Sequence, residues 1–305
     1  METPSPKTPN VQAFQTLRTS ELIKSWKQDF GIDVDSLFKG IEQLELRRDP
    51  ATGRMDFLPR VLGDADFYQQ LRRFSWYHPK RKLEHVHAAQ LAQSGDFILD
   101  VGAGHGDFAA YLSDVDYLGL ESDQVAVAAA RERGRDLRAI TMSELRADKT
   151  YRPADLVTAF QVLEHVDDPD TFLREMKDCM RTDGSMIVGV PDADSYVTRV
   201  PDLMLNAPPH HVTWWTEAAL RKTMSRIGLD VVRVQRFAVE PWEYQLWWMA
   251  KFSRWMGDAN GQYFGRNLRA RKVAAFSLSW PLQWVAPPKS ASGSTLLVHA
   301  RRTDD

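Results

Sequence analysis

Ile98-Leu-Asp-Val-Gly-Ala-Gly-His-Gly-Asp-Phe108 decides how this 305-residue chain is read. An apolar run ends on an acid, and glycines then alternate at 102, 104 and 106 before helix-forming residues resume. Glycine lacks a Cβ, so such a loop turns tightly and lets a ligand approach its backbone, Ala103 included. A dinucleotide fingerprint would place its third small residue at 107, where this chain has Asp107. Asp100, two residues before the first glycine, would repel a pyrophosphate and suits a ligand that carries an ammonium group. The next apolar run closes on Leu118-Gly-Leu-Glu121, followed by Ser122. An acid at the end of the second strand of such a unit accepts the two ribose hydroxyls. The combined expectation is a nucleoside with a cationic amino-acid tail.

The pattern around the loop is strand–helix alternation. Short apolar runs at 97–101, 117–120, 137–141, 156–160 and 185–190 alternate with helical stretches at 107–112, 124–133 and 169–181. Apolar strands separated by helices form a parallel sheet covered on both faces. A helix at 217–227 and strands at 230–237 and 295–300 complete seven strands. Upstream, 11–43 reads as helix with polar interruptions. Residues 44–48 and 54–58 alternate around Asp49-Pro-Ala-Thr-Gly53 as a hairpin, and 64–74 and 79–93 read as helices, the second with Pro79 in its first turn.

Asp100-x-Gly102-x-Gly104-x-Gly106 resembles the first motif of the class I S-adenosylmethionine-dependent methyltransferases, and Glu121 matches the ribose-binding acid of their second. Phe160-Gln-Val-Leu-Glu-His-Val-Asp-Asp-Pro169 is similar to a segment of their small-molecule and sugar branch, in the methyltransferase 11 and 23-type families. The resemblance covers about 80–240, with 295–301 similar to the closing antiparallel strand. It implies an α/β, Rossmann-like, doubly wound sheet of seven strands, mostly parallel with an antiparallel last strand. It also implies S-adenosyl-L-methionine as cofactor, held by Asp100, Gly102, Ala103, Gly104, Gly106, Glu121, Ser122, Phe160 and Gln161. The family's adenine-binding Asp after the third strand is replaced here by Met142-Ser143-Glu144, so Ser143 or Glu144 takes that role.

Methyl transfer is an in-line displacement that the protein promotes by alignment and exclusion of water. An alcohol acceptor must also lose a proton, which a histidine can take. Ligands of open α/β sheets lie outside the carboxyl ends of the strands. His165 follows the fourth strand there, and Asn206-Ala-Pro-Pro-His210-His211-Val-Thr-Trp-Trp215 follows the fifth. These three histidines are the candidate bases. Adjacent histidines on an extended chain point to opposite sides, so no metal is expected, even with Glu164 and Asp192 nearby. Amino-methylating DNA enzymes carry Asn/Asp-Pro-Pro-aromatic after the fourth strand, where this chain has Gln161-Val-Leu-Glu164. Cytosine-C5 enzymes need a catalytic cysteine, and Cys179 falls in a helical stretch. Arginine methyltransferases use two glutamates where only Glu164 stands. The expected acceptor is therefore a small molecule or glycan, methylated on oxygen; a quinone or other lipid at a membrane surface is the alternative.

Composition fits that class. Apolar residues make up 43% and charged residues 26%, with a formal charge of −2, so neither disorder nor a global grip on nucleic acid is expected. One cysteine excludes a disulfide framework. No apolar run approaches the roughly 20 residues that span a bilayer. The polar, Pro-rich opening is not a signal peptide, and a cytoplasmic location is expected. Residues 71–82 interleave aromatic and basic side chains, as an acceptor pocket would. Residues 244–290 hold seven basic residues against one acid, and five of the ten tryptophans. The expected organisation is a disordered tail at 1–10, a helical and hairpin extension at 11–78, a methyltransferase core at 79–241 and 291–302, and a Trp-rich basic helical insertion at 242–290. That insertion reads as a lid, a pocket wall or a peripheral contact with the inner face of a membrane.

Overall fold

Two sheets organise the chain. The structure, a computed structural model, describes residues 13–77, 81–256 and 262–303. The expected tail at 1–10 and the helix start at Pro79 lie outside them. The first elements are β1 (Ala13–Arg18), α1 (Thr19–Phe30), β2 (Gln43–Arg48), β3 (Met55–Leu58) and α2 (Ala65–Leu71). β2 and β3 form the expected hairpin, with Glu45 opposite Leu58 and Arg48 opposite Met55. The expectation of helix across 11–43 holds only for α1: 13–18 form a strand, and after Gly31 the chain has no more than a 3₁₀ turn at Asp35–Phe38 before β2. β1 pairs antiparallel with β2, Leu17 opposite Leu44. Burial alternates along β1, but the inward positions are Ala13, Gln15 and Leu17 while Phe14 faces out, so the sequence carries no apolar two-residue period to read. α1 stops at Gly31, whose N–H bonds the Lys27 carbonyl.

The core runs α3 (Leu83–Ala89), β4 (Phe97–Val101), β5 (Asp116–Leu120), α4 (Gln124–Glu132), β6 (Leu137–Arg138), α5 (Met142–Ala147), β7 (Ala154–Phe160), α6 (Pro169–Cys179) and β8 (Met180–Pro191). Then come β9 (Thr213–Trp214), α7 (Glu217–Ser225), β10 (Leu229–Ala238), α8 (Tyr244–Trp255), α9 (Arg266–Ser279) and β11 (Ser292–Arg302). Seven strands form one sheet in the order β10-β11-β8-β7-β4-β5-β6. β4, β5, β6, β7 and β8 are parallel neighbours, and β11 runs antiparallel to both β8 and β10. All five residues of β4 are buried, as a strand covered on both faces requires. Chain order reverses between β4 and β7, which opens a crevice at their carboxyl ends.

The core helices start where side chains cap them. Asp123, Thr141, Asp168 and Thr216 each accept a backbone N–H at the amino end of α4, α5, α6 and α7. The stretch after the glycine loop is shorter than a helix: a five-residue 3₁₀ turn, Asp107–Tyr111. β9 leaves the core and joins the N-terminal sheet, Met55 opposite Trp214. A boundary at 78/79 therefore separates strands that hydrogen-bond to each other.

Residues 242–290 contain α8 and α9, which pack with Tyr196, Val197 and Val200 around buried Trp247 and Ala275. Trp255 and Trp284 stay 80% and 84% exposed. Among the described residues, no helix is long and apolar enough to cross a membrane.

Candidate active site

A cavity of about 1160 Å³ opens at the crevice between β4 and β7. Its wall includes Asp100, Gly102, Ala103, Gly104, Glu121, Ser122, Phe160, Gln161, His165, His210 and His211. Two expected contacts are absent from it. Gly106 sits behind the loop, where a Cβ would press on Leu137 at 2.8 Å. Ser143 lies on the exposed side of the first turn of α5, and the Glu144 carboxylate caps that helix by accepting from Thr141. Neither Ser143 nor Glu144 lines the cavity, and one Glu144 oxygen is engaged in capping the helix.

The glycine loop is held from both sides. The N–H groups of Gly102 and Ala103 bond the Leu120 carbonyl at 2.8 and 3.0 Å. Glu121 accepts the N–H of Gly104 on one oxygen and that of Asp123 on the other, both at 2.9 Å. Gly104 has φ +56°, and a Cβ there would meet nothing within 4 Å. That open space is a cradle for a ligand that lies against the backbone. Asp100 is 2% exposed and accepts from Thr158 at 2.8 Å and Tyr117 at 2.9 Å. Burial pushes its carboxyl up to about 6, while the two hydroxyls pull it down. A cation beside it would restore full ionisation. An ammonium at Asp100, hydroxyls at Glu121 and a flat ring against the loop fit a nucleoside with an amino-acid tail.

The other end of the cavity is a histidine wall. His165 closes the 3₁₀ turn after β7. His210 and His211 lie in a turn, not an extended strand, because both of their N–H groups bond the Ala207 carbonyl. Their rings consequently stack at 4.4 Å instead of pointing apart, and the His165 ring lies 4.7 and 4.9 Å from them. The expectation of opposed side chains is thus overturned. Asp192 takes no part in this wall, since Arg236 binds it at 2.7 Å.

Tautomers follow from the partners. His165 Nδ1 lies 2.5 Å from the His210 carbonyl, and His210 Nδ1 lies 2.8 Å from that of Leu205. A carbonyl only accepts, so both Nδ1 atoms carry the proton and both Nε2 atoms offer lone pairs. The Tyr77 hydroxyl donates to His210 Nε2 at 3.0 Å. Burial depresses all three imidazoles, His165 to about 4 and the other two well below their ordinary value. They are neutral at pH 7. Glu164 is 1% exposed, has no hydrogen bond to either carboxyl oxygen, and is pushed up to about 8 by burial.

The N-terminal unit aims this wall. Trp26 of α1 donates its indole N–H to the Pro208 carbonyl at 2.8 Å, and the Gly63 N–H bonds that of Pro209 at 2.8 Å. Trp214 donates to the Asn206 carbonyl, and the Val212 N–H to that of Glu164. Sequence reasoning placed 71–82 at the pocket, and Arg72, Trp76, Tyr77, Arg81 and Lys82 do line it. It missed Tyr68, Glu84 and Gln161's backbone. Gln161 has φ +57°, a strained conformation for a residue with a side chain, and its amide donates to buried Glu84 at 2.9 Å. Glu84 shares the buried side of α3 with His85 and Ala88, so no apolar pattern in the sequence singled it out.

A methyltransferase-domain family model matches residues 73–234. An uncharacterized 37.1 kDa protein of transposon TN4556 from Streptomyces fradiae is 31% identical over 151 residues, 46% of this chain and 44% of that one. A probable S-adenosylmethionine-dependent methyltransferase of Mycolicibacterium smegmatis is 29% identical over 142 residues, 45% of this chain and 53% of that one. The chain spans about half the length of these curated relatives. A methyltransferase structure from Archaeoglobus fulgidus superposes with a TM-score of 0.51 at 13% identity, over 78% of this chain and all of that one, and shares the fold. The family match reaches from the lead-in to α3 through the glycine loop and the histidine wall to β10, so the chain belongs to the methyltransferase-domain family.

Proposed function

We propose that this chain is an S-adenosylmethionine-dependent methyltransferase that methylates a hydroxyl of a sugar, glycan or related hydroxylated metabolite. The observation that carries the reading is one cavity with two unlike ends: a glycine cradle between two carboxylates, and three neutral imidazoles opposite. S-adenosylmethionine, when bound, supplies an activated methyl group on a sulfonium. Asp100 would hold the ammonium of its tail, and Glu121 with Ser122 its ribose hydroxyls. Tyr68 and Tyr77, which line the cavity and are partly buried, would limit water around the acceptor. An imidazole that is neutral at pH 7 takes the hydroxyl proton as the oxygen attacks. His211 is the best placed, because among the described residues its ring nitrogens have no hydrogen-bond partner while it lines the cavity.

A second reading, a quinone or other lipid acceptor, draws support from Trp242, which lines the cavity and is also exposed. The test is methyl-labelled cofactor offered with panels of sugar, nucleotide-sugar, phenol and quinol acceptors, with product chemistry by mass spectrometry. Label in an ether of a sugar or related metabolite supports the first reading. Label confined to quinols, with protein floating on liposomes, supports the second, and label in amines alone refutes both.

A further inference from the structure

The histidine wall has a feature that proton transfer does not require. We propose that His165, His210 and His211 bind one divalent transition-metal ion, zinc by preference, at the acceptor end of the cavity. This deepens the reading of an O-methyltransferase and rests on it for the metal's purpose, though not for its binding.

Each of the three histidines offers one ligand atom, and these atoms lie within 4.8 Å of one another. Two of them are already set up as ligands. The carbonyls of His210 and Leu205 hold the Nδ1 protons of His165 and His210, which fixes the tautomer and leaves the Nε2 lone pairs to serve as ligands. A backbone carbonyl on the far nitrogen is how ligating imidazoles are oriented. The ring of His211 has no competing hydrogen bond among the described residues, and rotating it opens the stacked pair toward a shared ion. Metal entry would displace the Tyr77 hydroxyl from His210 Nε2. Beside these groups lies the Glu164 carboxyl, its Oε1 3.7 Å from His165 Nε2 and neither oxygen hydrogen-bonded. An orphaned buried carboxyl next to three lone pairs is unusual in a finished core, and a cation would satisfy it.

The donor set selects the ion. Imidazoles suit zinc and its neighbours, whereas magnesium prefers oxygen ligands and retained water. Three protein ligands leave a fourth position open, as in catalytic zinc sites. In this cavity an acceptor oxygen would occupy it, and the cation would lower the pKa of the bound hydroxyl, whose proton then leaves to water because the ion has taken the lone pairs of all three imidazoles, His211 included.

The test uses tag-free full chain, freed of metal by chelator and titrated with Co²⁺, Zn²⁺ and Mg²⁺ alone. The expected result is one equivalent of Co²⁺ with tetrahedral visible bands, displaced by Zn²⁺ and not by Mg²⁺. X-ray absorption of the zinc form should count three imidazoles. His165→Gln and His211→Gln should each weaken Zn²⁺ by roughly 10²-fold or more, and Tyr77→Phe should leave it equal or tighter. S-adenosylhomocysteine binding, measured on every sample, reports whether each variant is folded. Wild-type chain that binds S-adenosylhomocysteine but takes up no Co²⁺ or Zn²⁺ overturns the proposal, as does zinc binding that both His→Gln variants retain. Methyl transfer to a hydroxyl at full rate by the metal-free chain refutes the metal's role and leaves the O-methyltransferase standing. Failure of methyl transfer to any hydroxyl with metal bound refutes the function and leaves the site.

Discussion

Gly102 and Gly104 both hold left-handed backbone, at φ +72° and +56°, yet alanine at the two positions should have opposite signatures. At 104 a Cβ would meet nothing within 4 Å, so the fold loses only the left-handed preference, about 1 kcal/mol. At 102 a Cβ would stand 2.5 Å from Val162 Cγ2 and 3.1 Å from Cγ1. Valine's short branched side chain cannot swing aside, and overpacking adds roughly 1–3 kcal/mol to the same backbone term. Gly102→Ala should therefore cost about 3 kcal/mol. In a chain of this size each kcal/mol lowers Tm by about 2 °C, giving drops of about 2 °C for Gly104→Ala and about 6 °C for Gly102→Ala. Cofactor binding runs the other way. The methyl group at 104 occupies the cradle, so S-adenosylhomocysteine should bind at least about tenfold more weakly, about 1.4 kcal/mol, to a protein that is barely destabilised. Thermal melts and calorimetry on the two variants decide the matter. Equal melting drops, or wild-type affinity in Gly104→Ala, would refute the placement of the cofactor against that backbone.

Three further outcomes are expected. Trp26→Phe removes the indole donor to the Pro208 carbonyl, so about 1 kcal/mol of stability and most of the turnover should be lost while S-adenosylhomocysteine affinity holds; a parallel loss of affinity would mean that α1 supports the cofactor end instead. Glu121→Ala removes the acceptor of the Gly104 N–H as well as the ribose contact, and calorimetry should show at least about a tenfold weaker cofactor. Burial raises Asp100 to about 6 from 3.8, with Thr158, Tyr117 and Lys82 lowering it and Glu121 raising it. The folded chain thus binds more protons than the unfolded chain between about pH 4 and 6, and ligand-free stability rises as pH falls through that window. A cationic ligand needs the carboxylate, so S-adenosylhomocysteine affinity should fall over the same window, and Asp100→Asn should abolish both trends.

The strands of the large sheet were legible because β4, β7 and the second half of β8 are mostly apolar, buried runs with turn residues nearby. Asp100 and Glu121 were legible because their chemistry is tied to fixed places after β4 and β5. What stayed hidden depends on contacts between distant segments. β1 has one buried residue, and its strand state comes from pairing with β2. The convergence of His165 with His210 and His211 depends on the turn at Ala207, which the indoles of Trp26 and Trp214 and the Gly63 N–H hold in place. Trp214 belongs to the histidine segment itself, but Trp26 and Gly63 lie in the N-terminal unit, far from it in sequence. Ser143 read as a ligand contact from its position after the third strand; it stands on the exposed side of α5, beside a Glu144 that the capping box with Thr141 engages.

The central claim is that the cofactor's sulfur faces the three histidines across a single cavity. A crystal structure of the chain with S-adenosylhomocysteine tests it most directly. The expected complex has the tail at Asp100, the ribose at Glu121, the purine ring along the Gly104 backbone, and the sulfur aimed at His165, His210 and His211 with room for one hydroxyl between. A sulfur turned away from those rings, or a ligand bound outside the Gly104 cradle, would contradict it.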